Sequence, residues 1–96
     1  MPTEPISHSL RRAEPELREL GVDALFLFGS VARGDDRPDS DVDLFFDHRR
    51  ALSLFDVMAV RDTLQAVLGR RADVMTRKSL HPYLRERIER EAKQVF

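Results

Sequence analysis

The chain has no cysteine. Disulfide staples, a zinc–thiolate site and thiol catalysis are thereby excluded. It has no run approaching the ~18–20 apolar residues of a membrane span. Its amino-terminal stretch, MPTEPISHSLRRAEPEL, lacks the charged-then-apolar order of a secretory signal. The expected location is cytoplasmic. Neither charge sign dominates: 16 Lys+Arg stand against 17 Asp+Glu, for a net charge of −1. No whole-molecule attraction to nucleic acid is expected from that balance. Internal repeats, low-complexity tracts and linker-like composition breaks are also missing. The 96 residues, 42% apolar and 34% charged, are expected to form one domain over residues 1–96 with a highly charged exterior.

Hydrophobic spacing indicates the elements. Residues 1–7, with two prolines, read as a loose arm. Leu10, Ala13, Leu17 and Leu20 follow a helical rhythm that Gly21 can stop. Pro15 interrupts it, so either the helix kinks there or its regular part starts near Pro15. Residues 22–28 form a short apolar run ending at Gly29, which favours a buried strand. Asp41 to Asp47 (DVDLFFD) alternates, with Asp41, Asp43, Phe45 and Asp47 on one face, predicting a strand with one polar face. An amphipathic helix follows from Leu54 to Leu68, closed by Gly69. Residues 71–76 predict a third strand. A last helix enters through Pro82, and Leu84, Ile88, Ala92 and Val95 stripe one face of it. Interleaved strands and helices give an α/β (α+β) fold, a small mixed β-sheet flanked by helices.

The chemistry concentrates in Gly29-Ser30-Val31-Ala32-Arg33-Gly34 and Ser40-Asp41-Val42-Asp43-Leu44. Carboxylates at i, i+2 on a strand project from one face and raise each other's pKa unless a cation lies between them. A hard divalent ion such as Mg²⁺ suits that donor set. Asp73, on the next strand, could face the same side, and three carboxylates can hold two metal ions for in-line nucleotidyl transfer. Asp73 could instead merely cap a turn. Gly29-Ser30, directly after a buried strand, offers backbone N–H groups and a hydroxyl suited to a phosphate chain. Ser30 could instead be an N-cap. Arg33 either faces a nucleotide or partner, or pairs with Asp35 or Asp41; Gly34 serves backbone geometry.

Rival motifs fail on particular residues. Asp35-Asp36 stand where a Walker A loop needs Lys-Ser/Thr. Leu44 and Arg50 replace the glycine and glutamate of an EF-hand loop. Val31 stands where the dinucleotide fingerprint needs its second glycine.

The motif GSVARG…SDVDL resembles the metal-site motif of the DNA polymerase β-like nucleotidyltransferase superfamily. The small size and the ARG element resemble its minimal nucleotidyltransferase branch, the MNT-domain or MntA-like antitoxins. The likeness runs from about Leu10 to the carboxyl terminus. It implies Asp41, Asp43 and Asp73 as catalytic Mg²⁺ ligands, a site for two ions, and Gly29-Ser30 as contacts for the triphosphate of ATP. It also implies a HEPN-domain toxin as partner, with AMP moved from ATP onto a tyrosine of that toxin. Two alternatives stay open: a non-catalytic antitoxin that neutralises its toxin by binding, and a homodimeric enzyme acting on a small molecule. Neither a membrane nor direct contact with nucleic acid is expected.

The remaining features have bland readings. Asp35, Asp36 and Asp39 read as a solvated loop. Asp47 lies ~13 Å beyond Asp43, too far for shared ligation. His8, His48 and His81 are scattered as surface or cap residues. The pairs Arg49-Arg50, Arg70-Arg71 and Arg77-Lys78 read as solvated charge, or as contacts for an acidic partner. Leu54, Phe55 and Met58 read as core and helix face, with surplus apolar surface left for a partner.

Overall fold

The computed structural model describes residues 3–96, and side chains from Ile6 onward. Helix α1 (Thr3–Arg12) and helix α2 (Glu14–Glu19) are separated at Ala13, with Pro15 in the first turn of α2. Both consequences of that proline are therefore present: the chain breaks before it, and a new helix starts on it. Of the arm expected over residues 1–7, residues 1–2 lie outside the described part and residues 3–7 belong to α1.

Strand β1 (Val22–Phe28) leads into the short helix α3 (Gly29–Arg33), and strand β2 (Val42–His48) follows a loop. Helix α4 (Leu54–Leu68) then crosses to strand β3 (Ala72–Thr76). That crossover is long enough to lay β3 parallel to β2. A 3-10 turn (Arg77–Ser79), helix α5 (Pro82–Glu91) and strand β4 (Lys93–Gln94) complete the chain. The sheet order is β3-β2-β1-β4, with β1 antiparallel to both β2 and β4. The expected mixed sheet flanked by helices is what forms.

Both faces of the sheet are covered. Leu25 and Leu27 of β1 and Val42, Leu44 and Phe46 of β2 pack against Leu10, Leu17, Val60 and Leu64 from α1, α2 and α4. On the opposite face, Phe28, Phe45 and Leu80 pack with Phe26, Met75, Ile88 and Ala92 beneath α5. The face of β2 expected to be polar is thus polar only at its two ends. Phe45 between them is fully buried and stacked on Phe26 with ring centroids 4.7 Å apart.

Three further expectations are corrected. The last helix ends at Glu91, and Ala92 turns extended (ψ 148°). The chain then pairs with β1, where the Val95 N–H donates to the Leu25 carbonyl at 2.7 Å. Val95 accordingly packs in the core of the other face from Ile88 and Ala92. Leu54 and Phe55 are 73% and 81% exposed, because the buried seam of α4 begins further along, at Val60 and Leu64. Arg77 is no solvated charge. Its guanidinium donates to both carboxylate oxygens of Asp47 (2.7 and 3.0 Å) and to Glu89 (2.7 Å), while lying over the rings of Phe26 and Phe45 at 4.9 and 5.0 Å.

Bidentate pairing and cation–π contact make Arg77 a clamp between β2, α5 and the aromatic cluster. The hydrogen bonds it donates to Asp47 and then to Glu89 push its pKa further upward. Arg77→Ala is expected to destabilise the fold by about 2 kcal/mol, leaving two carboxylates without their cation; in a chain this small that lowers Tm by roughly 8–15 °C. Arg77→Lys, without the planar fork, is expected to recover less than half of that loss in a thermal melt.

Candidate active site

Antiparallel pairing brings the end of β1 to the start of β2, so that Phe28 lies opposite Asp43. Parallel pairing sets Asp43 directly opposite Asp73. Residues opposite one another in neighbouring strands share a face, so both carboxylates stand on the α5 side, at the sheet end where β1 turns into α3. Asp41 lies two residues upstream, just before β2.

Electrostatics tie the three together. The Asp43 carboxyl is pushed above its ordinary value, first by burial, then by the negative charges of Asp73 and Asp41, with Arg33 opposing. Oxygen-only donors of like charge held this close suit a hard divalent ion. The side chains are nevertheless not gathered into a ligand shell: among the described residues no group of three acidic or histidine side chains is placed to hold a metal ion. Asp41 instead accepts from Arg71 Nε at 3.3 Å.

Gly29 makes the turn from β1 into α3 with φ +73°, the left-handed region that side chains disfavour. Space requires glycine as well, since a Cβ there would overlap Asp43 Oδ2 and lie 3.1 Å from its Cγ. The backbone of the turn is therefore seated against the Asp43 carboxylate. Ser30 is the second residue of α3, while Phe28 takes the N-cap position, so the alternative of Ser30 as an N-cap does not hold. Gly34 closes α3 in the left-handed conformation (φ +82°), in keeping with its expected backbone role.

Arg33 pairs with Asp35 at 3.3 Å, as one of its two readings expected, and with Glu91 at 3.4 Å, which the sequence did not suggest. The Gly29 N–H also donates to Glu91, at 3.4 Å. These groups border an open cleft of about 380 Å³ between α3 and α5, where Phe28, Leu84 and Ile88 supply an apolar wall and Arg33 and Arg87 positive charge.

The loop leading to Asp41 is pinned from below. Arg70 donates to Asp36 (3.2 Å) and to the carbonyl oxygens of Arg37 (2.9 Å) and Ser40 (2.6 Å). The side chains of Arg70 and Asp36 are only 19% and 12% exposed. Both had read as solvated charge. Their pairing links the foot of β3 to the residue preceding Asp41, a contact between distant segments with no local signature.

Comparison with known proteins identifies the family and the fold. Residues 10–95 match the family model described as a nucleotidyltransferase domain. A Methanocaldococcus jannaschii chain whose name proposes a protein adenylyltransferase, MJ0435, is 37% identical over 91 residues, covering 95% of this chain and 98% of that one. Protein adenylyltransferase MntA of Thermococcus cleftensis is 36% identical over 93 residues, covering 96% and 94%. A solved structure described as a candidate minimal nucleotidyltransferase superposes with a TM-score of 0.84 at 33% identity, covering 97% and 95%. A complex of a tri-AMPylated Shewanella oneidensis HEPN toxin with its MNT antitoxin contains a chain sharing the fold, with a TM-score of 0.70 at 17% identity, covering 98% and 71%.

A small mixed sheet with acidic side chains facing a glycine–serine turn defines an enzyme of nucleotidyl transfer. The chain belongs to the nucleotidyltransferase domain family, in its minimal branch.

Proposed function

We propose that the chain is a Mg²⁺-dependent protein adenylyltransferase that moves AMP from ATP onto a tyrosine hydroxyl of a HEPN-type toxin, and so acts as that toxin's antitoxin. The observation that carries the reading is the Asp43–Asp73 register beside Gly29, with the Asp43 carboxyl pushed up by burial and by its acidic neighbours. The names of the adenylyltransferase relatives and the toxin–antitoxin complex of like fold support the substrate class and the partner.

Asp41, Asp43 and Asp73 would hold the metal, with Asp41 turning away from Arg71 to join the other two. Bound Mg²⁺ would offset charge developing on the α-phosphate and lower the pKa of the attacking hydroxyl. Gly29-Ser30 would seat the triphosphate, and Arg33 would balance its charge. The tyrosine oxygen attacks the α-phosphorus, the bond to the β-phosphate oxygen breaks, and pyrophosphate leaves. The phenol, with an ordinary pKa near 10, gives up its proton, for which Asp73 is the assigned acceptor. The cleft is open to solvent, so the toxin would supply both the acceptor and the missing wall.

The test is incubation of the chain and a HEPN-type toxin with α-labelled ATP and Mg²⁺. Label on the toxin is expected, and its loss by at least ~10³-fold with Asp41→Ala or Asp43→Ala. A silenced but unlabelled toxin would establish neutralisation by binding alone. Pyrophosphate release on a small-molecule panel without any toxin would establish the small-molecule reading.

A further inference from the structure

The donors assigned to the triphosphate are already engaged. One carboxylate oxygen, Oε1 of Glu91, accepts from the Gly29 N–H and from Arg33 Nη1, both at 3.4 Å. Glu91 is the last residue of α5. The chain just beyond it is fixed onto β1 through β4, so the carboxylate is delivered by anchored backbone. Among the described residues the acidic groups lining the cleft are Asp43 and Glu91, while Asp35 holds Arg33 through its Nε at 3.3 Å. An anion held this way competes with any anion arriving from solution for the same donors.

We infer that Glu91 is a resident competitor for the anion seat formed by the Gly29 N–H and Arg33, and that it restricts this seat to polyphosphates. The inference rests on the assignment of the triphosphate to Gly29-Ser30. A tethered carboxylate has a high local concentration but one charge and two oxygens. Orthophosphate, or the lone phosphate of AMP, offers the seat little beyond what it would lose with Glu91. A polyphosphate brings several charges and oxygens that reach past the Glu91 contacts toward Ser30 and Arg87, and displaces the carboxylate. When pyrophosphate departs, Glu91 returns to the seat.

The test is titration calorimetry of the whole chain without metal, using pyrophosphate and orthophosphate as probes. Glu91→Gln and Glu91→Ala are each expected to tighten orthophosphate and pyrophosphate binding by a similar factor, ~10-fold or more, because both must displace the same carboxylate and only the weaker ligand is thereby kept from binding in the wild type. Glu86→Gln removes the same charge from the far side of α5, where Glu86 pairs with Arg90 at 2.9 Å, and is expected to change neither. Unchanged or weaker binding in both Glu91 variants would overturn the inference, making Glu91 a support for the turn rather than its competitor. A parallel Mg-ATP titration separates the two claims. Mg-ATP bound by the wild type, with phosphate affinities indifferent to Glu91, sinks only the competitor. No Mg-ATP binding by the wild type, with phosphate gained in the Glu91 variants, sinks the proposed function and leaves the competitor standing.

Discussion

Asp43→Asn is expected to cost nucleotidyl transfer at least ~10³-fold while raising the melting temperature of the metal-free protein. The two effects share one cause. Asp43 sits where burial and the charges of Asp73 and Asp41 disfavour its ionised form, so its folded pKa lies above the unfolded one. A carboxyl raised in this way destabilises the fold when it ionises: stability is full below the unfolded pKa and is lost as pH rises through the folded pKa. The amide of Asn carries no charge and keeps the side-chain shape against Gly29. The melting difference between variant and wild type should therefore vanish in acid and open as pH rises above the ordinary carboxylate range. Because the side chain is partly exposed, the gain is expected to be about 0.5 kcal/mol, or roughly 2–4 °C. Saturating Mg²⁺ should reverse the order, stabilising the wild type but not the variant. Melts at several pH values, with and without Mg²⁺, check each part. A metal-free variant that melts below the wild type at neutral pH would show that the carboxylate is a structural asset rather than a stored cost.

Gly29→Ala is expected to do the reverse, removing stability and activity together. At φ +73° a side chain is strained, and the added methyl overlaps the Asp43 carboxylate. The fold can relieve the overlap only by shifting the turn or rotating Asp43, and either change moves the groups assigned to the α-phosphate. A loss of about 2–3 kcal/mol is expected, lowering Tm by roughly 10–20 °C, with transfer reduced at least ~10²-fold in protein that remains folded at low temperature. Gly34→Ala supplies the comparison. Gly34 has a similar φ of +82° but nothing within 4 Å of an added Cβ. It should lose only about 1 kcal/mol and keep most activity. The gap between the two variants measures the Asp43 contact itself.

What was legible in the sequence was local. Residues 22–28 were contiguous, apolar and followed by glycine, and they form β1 with those bounds. The stripe from Leu54 to Leu68 had both period and stop, and α4 has those bounds as well. Asp41 and Asp43 stand out because alternation places i and i+2 on one face, and Asp73 because it falls on the next strand and could face the same side. Their direct register needed the structure. So did Glu91, whose neighbours Ile88 and Ala92 read as an ordinary apolar stripe; it meets Gly29 only because α5 ends there. Val95 had helical spacing by coincidence, since the two residues of β4 are too few to show a strand's alternation. Asp36 and Arg70 are each hydrophilic in isolation. Only the chain's return after α4 buries them together.

Strand β3 carries Asp73 at the outer margin of the sheet, with a partner strand on one side alone. Amides at such a margin open in small local excursions well before the whole molecule unfolds. Asp43, by contrast, lies between two neighbours. The acidic trio is thus unequally anchored, and with the role proposed for Asp73, warming would disarm the reaction by loosening that third member while most of the protein stayed native. Heat tolerance of the fold and heat tolerance of the reaction are, in this design, separate properties.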